Sequence, residues 1–262
     1  MNNLWNTLHA EVIKIKYASV WWVTFIAFAL APLMGAVFMV ILSNPEATER
    51  AGALSAKARL MNFSADWNSY LSILTQAIGV GGILVFGFVA SWVFGREYSD
   101  GTAKDLLSLP TSRVTILNAK FIVYAGWCVV LVVSNLALGL VLGLTLDLPL
   151  TDSQALTKQL QDYAFTTILT IPLGCVIAFF AIWGKGYLAP LGFVAITLVV
   201  AQVIAATGFG TYFPWSVPGL YSTPGQPFKD DMNWLSYTLL ILVSGGGYGA
   251  TVLYWQIVDQ SA

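Results

Sequence analysis

Residues 70–94 read YLSILTQAIGVGGILVFGFVASWVF and contain no charged side chain. A helix needs about 20 predominantly apolar residues to cross a bilayer, because each residue advances it by about 1.5 Å. This run is therefore long enough to span a membrane as one helix. Polar and apolar residues do not alternate in it, so a strand of a membrane barrel is not indicated.

Five further uncharged apolar runs of comparable length flank this one. They are residues 19–42, 121–146, 163–183, 188–208 and 235–257. Only 10% of the 262 residues are charged, whereas a soluble domain usually carries roughly 25% charge to cover its core. We predict an all-α polytopic membrane protein, a single transmembrane domain over residues 1–262 with six transmembrane helices.

The positions of the basic residues predict the orientation. If the N-terminus is cytoplasmic, seven basic residues lie inside and five outside. The inner ones are Lys14, Lys16, Arg96, Lys104, Arg113, Lys120 and Lys185, and the outer ones are Arg50, Lys57, Arg59, Lys158 and Lys229. Because short cytoplasmic loops are enriched in Lys and Arg, we expect both termini in the cytoplasm of a bacterium, with the spans in its cell membrane.

The segment before the first run, residues 1–18, has an amphipathic pattern. At helical spacing, one face carries Leu4, Trp5, Leu8, Val12 and Ile15. This pattern is typical of a helix that lies on a membrane surface. The segment is either an elbow helix that leads into the first span and touches a partner, or a simple interfacial anchor.

The predicted cytoplasmic loop, residues 95–120, reads GREYSDGTAKDLLSLPTSRVTILNAK. Asp100 is a good N-cap for a short helix from Gly101 to about Leu109, and Pro110 ends that helix. Thr111 or Ser112 then caps a second helix that continues into the membrane. We expect helix, sharp turn and helix at the cytoplasmic boundary.

This loop resembles the cytoplasmic signature of the type-2 (ABC-2) permeases of ATP-binding-cassette exporters. The matching residues are Glu97 to Thr102, Lys104 to Leu107, Leu109 to Arg113, and Lys120. Residues 11–14 also resemble the pre-membrane helix of that family, and residues 213–218 resemble the loop before its last span.

The resemblance implies a permease subunit that pairs with a second copy of itself or a paralogue, and with two separate ATP-binding-cassette ATPase subunits. The loop would contain the coupling helix that contacts an ATPase. The implied coupling residues are Arg96, Glu97, Asp100, Gly101, Thr102, Lys104, Asp105, Leu106, Leu107 and Arg113. The alternative is an ordinary positive-inside loop with helix caps, which any membrane protein can have.

Catalytic residues are scarce in this chain. His9 is the only histidine, which excludes a His-based metal cluster or a Ser–His or Cys–His pair within one chain. The phosphate-binding pattern of Gly, four residues, Gly, Lys and Ser or Thr is absent as well. We therefore expect no enzyme activity and no cofactor, with ATP bound by the partner subunit. The formal net charge of −1 does not indicate nucleic acid as a partner.

Three amides lie near the middle of the apolar runs, and no charged side chain lies within any run. Gln76, Asn135 and Gln202 could line a path for an amphipathic substrate, or could hydrogen-bond to neighbouring helices. The lack of charge within the runs argues against a proton relay.

The segment 209–234 combines prolines with aromatic residues, so we expect a re-entrant-like extracellular stretch of short helical pieces. It is either part of an exit gate or an interfacial cap. Its candidate exit-side residues are Phe213, Pro214, Trp215 and Pro218.

Glycine pairs at a spacing of four residues in the spans favour close helix packing, within one subunit or at a dimer seam.

Together these features favour an exporter permease that moves an amphipathic compound, such as a peptide antibiotic or a lipid-like molecule, and so supports antibiotic resistance. The alternative from another class is a membrane sensor or scaffold that transports nothing. An intramembrane enzyme would need a nucleophile and a base that the sequence does not supply.

The orientation is testable by cysteine labelling in intact cells. A membrane-impermeant reagent should leave a cysteine at position 104 unlabelled and should label cysteines at positions 57 and 229. Labelling of position 104 in unbroken cells would reverse the predicted topology.

Overall fold

The structure is a computed structural model that describes residues 2–44, 46, 52, 63–107, 110–150, 153–223 and 232–257. The predicted outer basic residues Arg50, Lys57, Arg59 and Lys229 lie outside the described residues, as do Leu109 and part of the segment 209–234. The side chain of Leu107 is likewise outside them.

Nine helices form the described part of the chain. They are α1 (Asn2–Lys16), α2 (Val20–Ser43), α3 (Trp67–Ser99), α4 (Ala103–Leu107), α5 (Arg113–Thr145), α6 (Ser153–Trp183), α7 (Leu188–Ala206), α8 (Val217–Ser222) and α9 (Trp234–Ile257). Six of these, α2, α3, α5, α6, α7 and α9, are long and apolar enough to cross a membrane, and the described ranges contain no strand. The prediction of an all-α fold with six spans is confirmed.

Two of the long helices change their winding along their length. Helix α3 contains a π-helical turn at Ala77–Gly81, and α6 contains a 3₁₀ turn at Ile171–Leu173. A further 3₁₀ turn, Gly210–Tyr212, precedes α8.

Several helices extend beyond the apolar runs that predicted them. Helix α5 begins at Arg113, eight residues before the run at 121, because the Ser112 hydroxyl accepts a hydrogen bond from the Thr115 backbone N–H at 3.1 Å. Helix α3 begins after Asp66, whose carboxylate accepts from the Ser69 backbone N–H at 2.8 Å. As a result of the early start of α5, Lys120 lies inside a continuous helix although it lies outside the apolar run. Glu97 also lies inside a helix, because α3 continues beyond its apolar run to Ser99.

Helix α3 lies at the centre of the bundle. It packs against α2, α5, α6 and α7, and most of its apolar stretch is buried. Glycines allow close approach: a Cβ added at Gly87 would lie 2.7 Å from Val194 of α7, and one added at Gly95 would lie 2.8 Å from the Gly186 carbonyl oxygen. The second contact places the α6–α7 turn at the same end of the bundle as α1 and α4. We call this end the loop end, and the opposite end, with α8, the far end.

Eight of the glycines in the spans fall into two groups. Gly79, Gly82, Gly87, Gly139 and Gly143 each pack against a neighbouring element of the same chain. Around Gly81, Gly245 and Gly249 no atom of the described residues lies within 4 Å of an added Cβ.

A proline in α2 explains the environment of Asn135. Pro32 has no N–H, so the carbonyl of Phe28, four residues earlier, loses its helical donor. The Asn135 side-chain amide of α5 donates to that carbonyl at 2.8 Å, and Asn135 is only 2% exposed. The Tyr163 hydroxyl of α6 lies 3.2 Å from Asn135 Oδ1. Asn135 thus fits the alternative expectation, an amide that bonds to neighbouring helices, because its side chain is enclosed rather than open to a path.

The hydrogen bond from Asn135 to the Phe28 carbonyl predicts that a second substitution can reduce the cost of losing Asn135. Asn135→Leu should lower the free energy of unfolding by about 1–3 kcal/mol, because it leaves the buried Phe28 carbonyl without a donor. In a Pro32→Ala background the cost should fall, since the introduced alanine supplies a helical N–H to the same carbonyl. Unfolding in mixed detergent micelles measures both, with Ser134→Leu as the neighbouring control. An equal cost of Asn135→Leu in both backgrounds would contradict the account.

Candidate functional site

Four charged side chains from three helices meet at the loop end. We call Glu11 and Lys14 of α1, Glu97 of α3 and Lys120 of α5 the ion-pair network. Lys120 Nζ donates to Glu97 Oε1 at 2.7 Å and lies 3.4 Å from Glu11 Oε2. Lys14 Nζ donates to Glu11 Oε1 at 2.6 Å and to Glu97 Oε1 at 3.0 Å. The network contains two ammonium groups and two carboxylates, so its formal charges cancel.

The network is almost closed to solvent. The side chain of Lys120 is fully buried, and those of Glu97 and Glu11 are 5% and 6% exposed. A buried charge is costly unless it is paired and hydrogen-bonded, and Lys120 gains a further acceptor in the Val93 carbonyl at 2.8 Å. The side chain of Lys14 is 30% exposed and forms the rim of the network.

The protonation of Lys14 follows from its neighbours. Burial lowers the pKa of Lys14, but the nearby Glu11 and Glu97 carboxylates outweigh burial and raise this pKa above its ordinary value. Lys14 therefore remains an ammonium group at neutral pH and holds both carboxylates.

Helix α1 docks on the bundle through its polar side. Glu11 and Lys14 are three residues apart, which places them on one helical face. Glu11 is buried, whereas Trp5 and Val12 of the apolar face are 71% and 50% exposed. The polar face of α1 thus contacts the bundle through Glu11, and its apolar face is divided, because Ile15 packs against the buried core while Trp5 and Val12 are exposed.

The end of α3 forms a tight turn that Gly101 makes possible. The Thr102 N–H donates to the Glu97 carbonyl at 2.8 Å and the Gly101 N–H to the Tyr98 carbonyl at 3.3 Å, which is the hydrogen-bond pattern of a Schellman motif. Gly101 has a φ of +72°, in the left-handed region that favours glycine. Glu97 therefore takes part in the turn through its backbone and in the ion-pair network through its side chain.

The prediction for Asp100 was wrong. Asp100 is the C-cap of α3 rather than the N-cap of the next helix, and its carboxylate pairs with Arg96 at 3.0 Å. Helix α4 begins at Ala103 instead of Gly101. The physical reason is the left-handed Gly101, which ends α3 and cannot also begin a helix.

Most of the predicted coupling residues gather around one cavity. It has a volume of about 400 Å³ and lies between α1, the end of α3 and α4. Its lining comprises Lys14, Arg96, Glu97, Asp100, Thr102, Asp105 and Leu106. Lys104 is exposed beside it. Arg113 lies elsewhere: its guanidinium donates to the Trp255 carbonyl at 3.0 Å and so joins α5 to the end of α9.

The residues predicted to line a substrate path do not meet. Gln76 lines a groove of about 510 Å³ between α2 and α3. Gln202 lines a separate cavity of about 90 Å³, together with Trp215. Asn135 is enclosed by α2 and α6, as described above.

The predicted exit-side residues pack near the π turn of α3. A Cβ added at Gly79 would lie 2.5 Å from the Pro218 carbonyl oxygen of α8. The rings of Phe213 and Trp215 are 5.5 Å apart, and Trp215 also contacts Phe193 of α7. Pro214 precedes Trp215 in the connection to α8.

The sequence reasoning did not place Glu11, Lys14 and Lys120 among the coupling residues. Glu97, which is among the implied coupling residues, accepts through Oε1 from Lys120 and Lys14 of its own chain. Glu97 Oε2 has no hydrogen-bond partner among the described residues. The available signal was a set of isolated charges beside apolar runs, since a charge there needs a partner.

Comparison with known proteins adds a family match. A family model described as "ABC-2 family transporter protein" matches residues 7–203. The bacitracin transport permease protein BCRB of Bacillus licheniformis is 25% identical over 195 residues, which are 74% of this chain and 90% of that relative. No solved structure matches the chain.

The ion-pair network should contribute more to the free energy of unfolding than exposed charged side chains do. Lys120→Met should lower the free energy of unfolding by about 3–5 kcal/mol, because it leaves two buried carboxylates with Lys14 alone. Lys14→Met should cost less, and the exposed control Lys104→Met should cost nearly nothing. Unfolding in mixed detergent micelles gives the three values. A Lys120→Met protein as stable as the wild type would show that the network is not structural.

Proposed function

The chain belongs to the ABC-2 family of transporter permeases, and from that premise we propose that it exports an amphipathic compound with energy from separate ATPase subunits. As a permease subunit with six apolar spans it is a multi-pass membrane protein. The ATPase subunits, the direction of transport and the compound are the parts that we propose.

The observation that carries the proposal is the connection between the turn at Gly101 and the ion-pair network. Glu97 accepts a hydrogen bond from Thr102 through its backbone, and its side chain pairs with Lys120 of α5 and Lys14 of α1. A force on α4 thus reaches two spans and the elbow helix through one residue. Such a junction suits a permease that is moved by an ATPase, because ATP is hydrolysed in the partner subunit whereas the transport pathway lies in the permease.

We place the ATPase against the loop end. The cavity of about 400 Å³ there is lined by charged side chains of both signs and by Leu106, so it can receive a segment of another protein with both polar and apolar contacts. ATP would be bound by that partner, since this sequence lacks the phosphate-binding pattern. The charge bias supports a cytoplasmic location for this end and for both termini.

The proposed assembly has two permease chains, identical or paralogous, and two ATPase subunits. This composition follows from the likeness to ABC-2 permeases. The compound is proposed from the bacitracin permease relative, whose similarity covers most of both chains. We therefore take a peptide antibiotic as the first candidate, with bacitracin as its test compound.

Two glycines allow a matched test of coupling. Gly101 and Gly208 both have positive φ, +72° and +85°, and an added Cβ at either meets no atom within 4 Å among the described residues. Gly101→Val and Gly208→Val should therefore strain the backbone similarly. Only Gly101 lies in the turn that we assign to coupling.

In liposomes that contain the complete complex, Gly101→Val should lower bacitracin transported per ATP hydrolysed at least fivefold, while ATP hydrolysis persists. Gly208→Val should leave the ratio nearly unchanged. Wild-type subunit stoichiometry must be confirmed for both. An equal effect of the two variants would refute the coupling role, and a complex that hydrolyses ATP but transports nothing would favour a sensor. Glu97→Ala is a poorer probe, because it also removes a partner from buried Lys120.

A further inference from the structure

A polar cavity lies at the far end, where α3, α6 and α8 meet. Its volume is about 260 Å³. Helix α3 contributes Asn68, Ser72 and Thr75, at spacings of four and three residues, so the three side chains share one face. A polar face directed at lipid or at a dry core would be costly.

Helix α6 presents a matching polar face to the same cavity. Lys158, Gln159 and Asp162 are spaced by one and three residues and line the opposite wall. The two walls together carry one formal positive and one formal negative charge. A cavity with this balance does not favour a simple anion or cation, but suits a neutral or zwitterionic group that forms hydrogen bonds.

The side chains in the cavity have hydrogen-bonding capacity that the protein leaves unused. Asn68, Ser72 and Gln159 form no side-chain hydrogen bond within the described ranges. The Thr75 hydroxyl donates to the Leu71 carbonyl at 2.8 Å, which leaves its oxygen able to accept. The lining therefore offers amide donors together with amide and hydroxyl acceptors.

Helix α8 closes the third side and is fixed at two points. The Tyr221 hydroxyl donates to Asp162 Oδ1 at 2.9 Å, which joins α8 to α6. Ser222 packs against Gly79, where an added Cβ would lie 2.5 Å from the serine oxygen. Gly79 belongs to the π turn of α3, and such turns are frequent at functional sites.

The cavity is remote from the ion-pair network. Ser72 and Glu97 are 25 residues apart on α3, which corresponds to about 37 Å along a helix at about 1.5 Å per residue. If the loop end faces the cytoplasm, the cavity faces the outside.

We propose that this cavity binds peptide groups of the exported compound on the side where it leaves the permease; the inference rests on the proposed function. Backbone amides have one donor and one acceptor each, which matches the mixed lining, and they carry no net charge. The volume lies just below the usual range of about 300–1,000 Å³ for ligand pockets, so the cavity receives one or two residues of the peptide and not the whole compound.

Two glutamines of α6 give a matched pair of variants. Gln159 lines the cavity, whereas Gln161, two residues later, is exposed and does not. Gln159→Trp should fill the cavity, and Gln161→Trp adds the same side chain outside it. Should Gln159→Trp fail to give a monodisperse protein, Gln159→Leu removes the amide with a smaller change in volume.

The measurement is bacitracin binding to the full chain in lipid nanodiscs, by isothermal titration calorimetry. Gln159→Trp should weaken binding at least tenfold, and Gln161→Trp should change it less than twofold. Equal affinity of Gln159→Trp and wild type overturns the inference, and so does export of bacitracin by the complete complex when the chain shows no binding. A complex that neither binds nor exports bacitracin contradicts the proposed compound as well.

A lipid headgroup is the competing occupant. Native mass spectrometry of the same nanodisc samples reports lipids that stay bound to the chain. Loss of a bound lipid in Gln159→Trp with unchanged bacitracin affinity would assign the cavity to a headgroup and overturn the peptide proposal.

Discussion

The pairing of Lys120 with Glu97 is the interaction on which the loop end depends. A fully buried lysine ammonium is costly without carboxylate partners, and Lys120 has two of them, from α3 and from α1. This requirement fixes the position of α1 relative to two spans. It also fixes the turn at Gly101, because Glu97 belongs to that turn through its backbone.

The same rule, that polar groups in a membrane protein need internal partners, organises the rest of the bundle. It explains why Asn135 faces the Phe28 carbonyl that Pro32 leaves without a donor. The polar cavity at the far end departs from this rule, because it contains side-chain amides that have no hydrogen-bond partner among the described residues. Helix α3 passes from that cavity through its π turn to the ion-pair network, so one central helix connects the proposed site of the compound with the proposed site of the ATPase.

The sequence was sufficient to predict the six spans, because long uncharged apolar runs are typical of membrane-spanning helices and of few other structures. It also predicted that Thr111 or Ser112 caps α5, since capping depends on local chemistry, and Ser112 is the cap. It misplaced Asp100 because a carboxylate next to a glycine can end one helix as well as begin another. The ion-pair network was not predictable: Glu11 and Lys120 are 109 residues apart, and only tertiary packing brings them together.

The proposed coupling requires that α1, α4 and the adjoining ends of α3 and α5 move as one body when the ATPase acts. Spin labels at positions 5 and 104, both exposed, report the distance between α1 and α4 by double electron–electron resonance in the complete complex. The account predicts the same distance distribution in the nucleotide-free and ATP-bound states, and a broader one in a Lys120→Met protein. A wild-type distribution that shifts between the two nucleotide states would contradict it.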